Sequence, residues 1–194
     1  MGTKIVIIGG VAGGAGAAAR LRRLDEEAEL VLLERGPHIS FANCGLPYFI
    51  GGEIEQERDL LLQTPESFRQ RFRVDVRVQN EAVAIDRERK TVTVRDLAGG
   101  ETYEESYDAL ILSMGAEPAR PPVPGLDSER VFTLRSIPDT IRIREFIETR
   151  GARSAVVMGG GYIGVEMAEN LHARGIKVTI VEMQDQVIAP LDYD

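Results

Sequence analysis

Apolar residues are arranged in short runs separated by glycine turns. KIVII, residues 4–8, is a β-branched run that ends at a glycine cluster. The following AGAAARLRRL is rich in the alanine, leucine and arginine that favour helix. After the polar break DEEAE comes ELVLLE, a second buried-strand pattern, so residues 4–34 predict one βαβ unit with parallel strands. The same grammar returns in SAVVMGGGYIGVEMAENLHARGIKVTIVE, residues 154–182, where Gly175 is placed to end the helix. The chain therefore carries an internal repeat. Between the copies, RVDVRVQNEAVAIDRERKTVTVRD alternates apolar and polar positions. A Gly-Gly turn follows in TVTVRDLAGGETYEE, and together these predict a β-meander over about residues 74–105. YDALILSMG reads as a further core strand, EPARPPVPG as a stiff linker, and SIPDTIRIREFIETRG as a helix with Ser136 or Asp139 at its start and Gly151 past its end.

Composition narrows the class. The 194 residues are 43% hydrophobic and 28% charged, an ordinary globular balance with room for one domain and part of another. No apolar run reaches the roughly 18 residues of a spanning helix. MGTK leads straight into the first strand without signal-peptide grammar, which predicts a cytoplasmic protein. A net charge of −8 argues against nucleic acid or an anionic membrane as partner and favours small molecules. The single cysteine, Cys44, cannot form an internal disulfide. The histidines His38 and His172 suggest no metal site by their spacing.

The glycine turns bear the first specific chemistry. In GGGYIG, Gly159, Gly161 and Gly164 fit GxGxxG directly after a strand and at the opening of a helix. The first glycine permits the tight turn, the second admits a pyrophosphate to the backbone, and the third lets helix pack on strand. Glu182 follows Gly164 by 18 residues at the tip of the next strand, where a carboxylate binds ribose hydroxyls and repels a 2′-phosphate. That favours NADH over NADPH. The first copy, GGVAGG, keeps Gly9 and Gly14 but has Val11 in the middle, with Gly10, Ala12 and Gly13 completing the turn. Glu34 closes its second strand 20 residues after Gly14, and Arg35 follows. The bland reading of either turn is plain helix packing. Two sites in one chain imply two cofactors, and a nicotinamide pairs most economically with a flavin.

With these turns and SFANCGLPY in view, the sequence resembles the pyridine nucleotide-disulfide oxidoreductases, and within them the single-cysteine branch that includes coenzyme A-disulfide reductases, NADH oxidases and NADH peroxidases. The wording around Cys44 is closest to the coenzyme A-disulfide reductase version, and YDALILSMG, ending at Gly115, resembles the strand that returns to the flavin domain. The resemblance implies an α/β, FAD/NAD(P)-binding Rossmann-like three-layer fold with a β-meander, followed by the start of a second Rossmann-like domain. It divides the chain into an incomplete FAD-binding domain at 1–118, a linker and connecting helix at 119–150, and a truncated NAD-binding domain from 151 to 194. It implies FAD and NADH (or NADPH) as cofactors, coenzyme A as substrate or product, and a homodimeric parent enzyme of which this chain is a part.

The resemblance further implies that Cys44 is the redox nucleophile, passing through a mixed disulfide with coenzyme A. A thiol at a helix N-terminus is suited to attack as its thiolate, and the lack of a second cysteine rules out an internal dithiol relay. The plain alternative for a lone cysteine is an inert core residue. Ser40 and Asn43 match positions that touch coenzyme A, with turn capping as their plain alternative. Arg20 and Arg23, on one face of the first helix, match or adjoin positions that hold its phosphates. Arg22, Arg69, Arg71 and Arg73 are expected on solvated faces, and Phe72 stands where the family has a basic residue nearby. The competing readings are an NADH oxidase or peroxidase cycling through a cysteine sulfenic acid, and a nucleotide-binding fragment without activity.

Overall fold

The computed structural model describes residues 2–191. The chain forms two compact units, residues 1–41 with 61–117 and residues 42–60 with 118–194.

In the first unit, β1 (Lys4–Ile8), β2 (Glu29–Glu34), β3 (Asp75–Val78) and β7 (Ala109–Leu112) form a parallel sheet in the order β3-β2-β1-β7. Val6 is in register with Val31 on one side and with Leu110 on the other. Strands covered on both faces need continuous apolar runs, which KIVII and ELVLLE supply. One face packs Ile7, Leu30, Leu32 and Val76 against Ala15 and Ala18 of α1 (Ala12–Leu24) and Phe68 of α3 (Pro65–Phe72). The other packs Val6, Ile8, Val31 and Leu33 against Val92 and Val94 of the meander formed by β4 (Asn80–Asp86), β5 (Thr91–Asp96) and β6 (Thr102–Ser106). Helices, parallel sheet and meander are the expected three layers.

The meander is shorter than the alternation predicts. Residues 75–78 join the parallel sheet, because Val76 is fully buried beneath α3 and Gln79, at φ 56°, turns the chain before β4. A second correction concerns Arg22, which is buried rather than solvated. Arg69 stays exposed, as expected, while donating to the Val76 carbonyl.

The second unit contains α2 (Leu46–Gly51), α4 (Ile137–Arg150), and a βαβ segment made of β8 (Ser154–Met158), α5 (Tyr162–Ala173) and β9 (Lys177–Val181). Its centre is Ile50, Ile143, Leu171 and Ile176. Residues 42–60 pack with the later part of the chain and contribute the fully buried Ile50 to its core. Ser136 caps α4 in a reciprocal box with Asp139, and Gly151 ends it in the left-handed region at φ 60°. Among the described residues no helix is long and apolar enough to cross a membrane.

Candidate functional site

The two glycine turns have the same construction. Gly9 and Gly159 take φ 98° and 100°, values open to glycine at little cost. A Cβ on Gly14 would strike the Gly9 carbonyl oxygen, and one on Gly164 would strike that of Gly159. These glycines bring each helix hard against its strand. The first intrahelical bonds run from Ala15 N–H to the Val11 carbonyl (3.2 Å) and from Val165 N–H to the Gly161 carbonyl (3.0 Å). The amides of Ala12, Gly13 and Gly14, and of Tyr162, Ile163 and Gly164, precede those bonds and are the donors an α-helix leaves open. Neither first turn has a side-chain cap or an acidic residue. Donors and positive dipole end both suit a phosphate.

A carboxylate braces each turn from the tip of the following strand. Glu34 accepts from Gly10 N–H and Gly36 N–H, both at 2.7 Å. Glu182 accepts from Gly160 N–H at 2.5 Å, Met183 N–H at 2.7 Å and Gln184 N–H at 2.8 Å. Led by the Gln184 and Gly160 amides, these bonds hold the Glu182 carboxyl below the usual carboxylate range. A carboxylate offers about four acceptor positions, so each retains capacity for a ribose hydroxyl. Both turns therefore fit a dinucleotide.

Val11 takes the place of the central glycine of the first turn at a negative φ of −93°, and it lines a groove beside α1. The groove has a volume of about 350 Å³ and lies wholly in the first unit. One wall is the small-residue face Ala12, Ala15, Gly16 and Ala19; the facing wall is Phe68, Arg71 and Phe72 of α3. Arg20 and Arg23 follow Gly16 and Ala19 by one helical turn and are exposed; neither belongs to the groove lining itself. Ser40 lies in the groove lining at φ 45°. Its N–H donates to the Gly10 carbonyl at 2.9 Å, and its carbonyl accepts from Leu62 N–H at 2.9 Å. Groove and glycine turn thus share a hydrogen bond. Arg71, exposed as expected, belongs to this lining together with Gln63, for which the sequence suggested no role. The available signal was Thr64-Pro65, a helix start that sets positions 68, 71 and 72 on one face. The Arg71 guanidinium sits 5.2 Å from the Phe72 ring centroid.

Arg35 pairs with Glu117 and lies 3.9 Å from Glu81. The Glu117 bond is the main reason its guanidinium is held above the ordinary range. Gly115, at φ 72°, turns the chain after β7. Asn43 and Cys44 lie in the second unit, on the single 3₁₀ turn Asn43–Gly45. Both are exposed, so Cys44 is not a sealed core residue. The turn is fastened firmly: Gly45 N–H donates to the Ala42 carbonyl at 2.9 Å, and Ala42 N–H to the Leu60 carbonyl at 2.8 Å. The carbonyl of Leu46 accepts from Thr140 Oγ1 at 2.8 Å, and a Cβ on Gly45 would press on the side-chain tips of Leu60 and Ile54. Tyr48, one turn beyond, has its hydroxyl pKa raised chiefly by the Glu166 carboxylate, then by burial, Glu169, Glu53 and the Cys44 sulfur.

Two braced glycine turns heading two βαβ units define a tandem dinucleotide-binding protein. The chain belongs to the pyridine nucleotide-disulphide oxidoreductase family, whose pattern matches residues 3–194. Coenzyme A disulfide reductase of Staphylococcus haemolyticus is 43% identical over 191 residues, covering 98% of this chain and 43% of that protein. The crystal structure of reduced Bacillus anthracis CoADR-RHD matches with TM-score 0.96 and 55% identity over 100% of this chain and 35% of the other. An NAD-dependent persulfide reductase from A. fulgidus matches with TM-score 0.92 and 39% identity over 97% of this chain and 36% of its own. The chain therefore spans less than half the length of these relatives. The family and its solved members imply FAD and a nicotinamide dinucleotide as the cofactors.

Proposed function

We propose that the chain is the cofactor-binding and thiol-bearing part of an enzyme that reduces coenzyme A disulfide, or a related persulfide or polysulfide, through Cys44. The observation that carries this reading is the groove of the first unit, whose lining is uncharged apart from Arg71 and whose α1 wall is followed, one helical turn on, by the exposed Arg20 and Arg23. Such a groove suits a ligand with a long uncharged arm and a polyphosphorylated end, which describes coenzyme A. Small side chains on α1 admit the arm, while Arg20, Arg23 and Arg71 supply forked donors for phosphate oxygens. Arg71 stands beside Phe72, so the cation at this end comes from the neighbouring position.

Gly9, Gly10, Ala12, Gly13, Gly14 and Glu34 would hold the pyrophosphate and ribose of FAD, and Gly159, Gly161, Gly164 and Glu182 those of NADH. Bound together, the two cofactors supply the pair of electrons that the reduction consumes. Cys44 does the sulfur chemistry. Its thiolate attacks one sulfur of the substrate disulfide, the S–S bond breaks, and one coenzyme A leaves as thiolate while the other stays in a mixed disulfide. Addition of two electrons cleaves that bond, restores the Cys44 thiolate and releases the second thiolate, and two protons from solvent complete two thiols. Exposure of Cys44 on a fastened turn lets the substrate reach the sulfur without local unfolding. The length of the relatives supports a longer parent, which we place as a homodimer.

Mass spectrometry of the non-reduced full-length protein tests the reading directly. A dithiothreitol-sensitive coenzyme A adduct on the peptide containing Cys44 is expected, and it should vanish in Cys44→Ser together with disulfide reduction. An adduct-free thiol that coenzyme A disulfide does not modify would refute it, and a stable sulfenic acid would favour an oxidase or peroxidase.

A further inference from the structure

Arg22 is the one arginine of the first helix that points inward, with a relative exposure of 9%. It makes no bond to a carboxylate among the described residues and instead gathers backbone carbonyls. Nε donates to the Phe72 carbonyl at 2.9 Å and Nη2 to that of Arg73 at 2.9 Å, at the end of α3. Nη1 donates to the carbonyls of Asp25 at 3.2 Å and Glu26 at 2.6 Å, where α1 gives way to β2. One planar fork thus joins the C-terminal ends of two helices, whose unpaired carbonyls and negative dipole ends balance the buried charge. Arg73 adds a tie in the same direction, with Nη2 donating to the Glu26 carbonyl at 3.2 Å.

The clamp lies just past the groove. Ala19, one turn before Arg22, lines one wall, and Phe72, whose carbonyl Arg22 holds, lines the other. The spacing of α1 and α3 at that end fixes where Arg71 stands relative to Arg20 and Arg23. We infer that Arg22 is a positioning residue that sets the width of the α1–α3 groove, and so its grip on an anionic ligand, without touching that ligand. The inference rests on the reading of the groove as the coenzyme A site. A lysine cannot replace the fork, because one ammonium cannot reach both pairs of carbonyls with fixed planar geometry.

The test compares wild type, Arg22→Lys and Arg71→Ala in the full-length protein, with coenzyme A as the titrant. Hydrogen exchange is followed at residues 65–74, and KM and kcat are measured with coenzyme A disulfide. Arg22→Lys is expected to speed exchange at the end of α3 in the free protein, and to weaken coenzyme A binding and raise KM about tenfold, with kcat within about twofold. Arg71→Ala should raise KM without the change in free-state exchange. Faster exchange with unaltered affinity would leave Arg22 a purely structural clamp and overturn the inference, as would unaltered exchange. If wild type gains no protection from coenzyme A along α1 and α3, the groove assignment itself fails instead. Should Arg22→Lys not fold, the wild-type Nε proton of Arg22 decides by NMR: it should stay protected when coenzyme A is added, and its loss of protection would refute a fixed clamp.

Discussion

Gly161 and Gly164 stand three positions apart in one turn and meet opposite constraints. A Cβ on Gly164 would collide with the Gly159 carbonyl, whereas one on Gly161, at φ −73°, would have nothing within 4 Å. The fold needs glycine at 164; only an approaching ligand needs it at 161. Gly161→Ala should therefore leave the melting temperature within about 2 °C of wild type, since surface changes of this kind cost under about 0.5 kcal/mol. Its NADH affinity should fall about tenfold or more, as read by fluorescence titration. Gly164→Ala should instead lower stability by several kcal/mol, on the order of the overpacking penalty or more. In the first turn the matching position is Val11, which keeps a negative φ and lines the groove, and there the fingerprint departs from GxGxxG.

Among the elements, the meander is held to the parallel sheet by apolar packing and by one buried carboxylate. Glu105 of β6 pairs with Lys4 of β1 at 2.6 Å and with Arg77 of β3. Tyr103 completes the cluster, accepting from Arg77 at 3.2 Å and donating to Asn80 Oδ1 at 2.7 Å. Burial pushes the Glu105 carboxyl up, but the bonds from Lys4 and Arg77 outweigh it and leave the pKa lowered from 4.5. A lowered carboxyl contributes stability that is complete above its unfolded pKa and is lost as the pH falls through the folded value. Chemical denaturation from pH 7 down to pH 3 should thus show stability declining below about pH 4.5. Glu105→Gln should cost about 1–3 kcal/mol at pH 7 and flatten that acid limb. An unchanged limb would mean other carboxyls dominate acid unfolding. This cluster was invisible in the sequence, because Lys4, Arg77 and Glu105 are far apart in the chain and each looks like an ordinary strand-edge charge.

At the scale of the molecule, the chain order and the compact units do not coincide. The segment 42–60 leaves the first unit and contributes Ile50 to the core of the second, where Arg144 donates to the Phe49 carbonyl and Arg174 to the Ile50 carbonyl. Truncating Ile50 to alanine should destabilise the second unit by about 2–5 kcal/mol. Hydrogen exchange should quicken at Ile176 and along β9 and leave the β1 and β2 amides as in wild type. Equal acceleration throughout would show one cooperative block.

The sequence by itself determined both βαβ units, the capped helix after the linker, the glycine turns with their acidic partners and the standing of Cys44 as the candidate thiol. These signals are local: a period of two or of 3.6, a cap, a glycine at a positive φ. Tertiary structure alone decided that β3 joins the parallel sheet, that Arg22 turns inward and that the Cys44 turn packs with the second unit. Each of those outcomes depends on a partner tens of residues away, such as the Phe72 carbonyl for Arg22 or Ile143 for Ile50, and no local pattern encodes it.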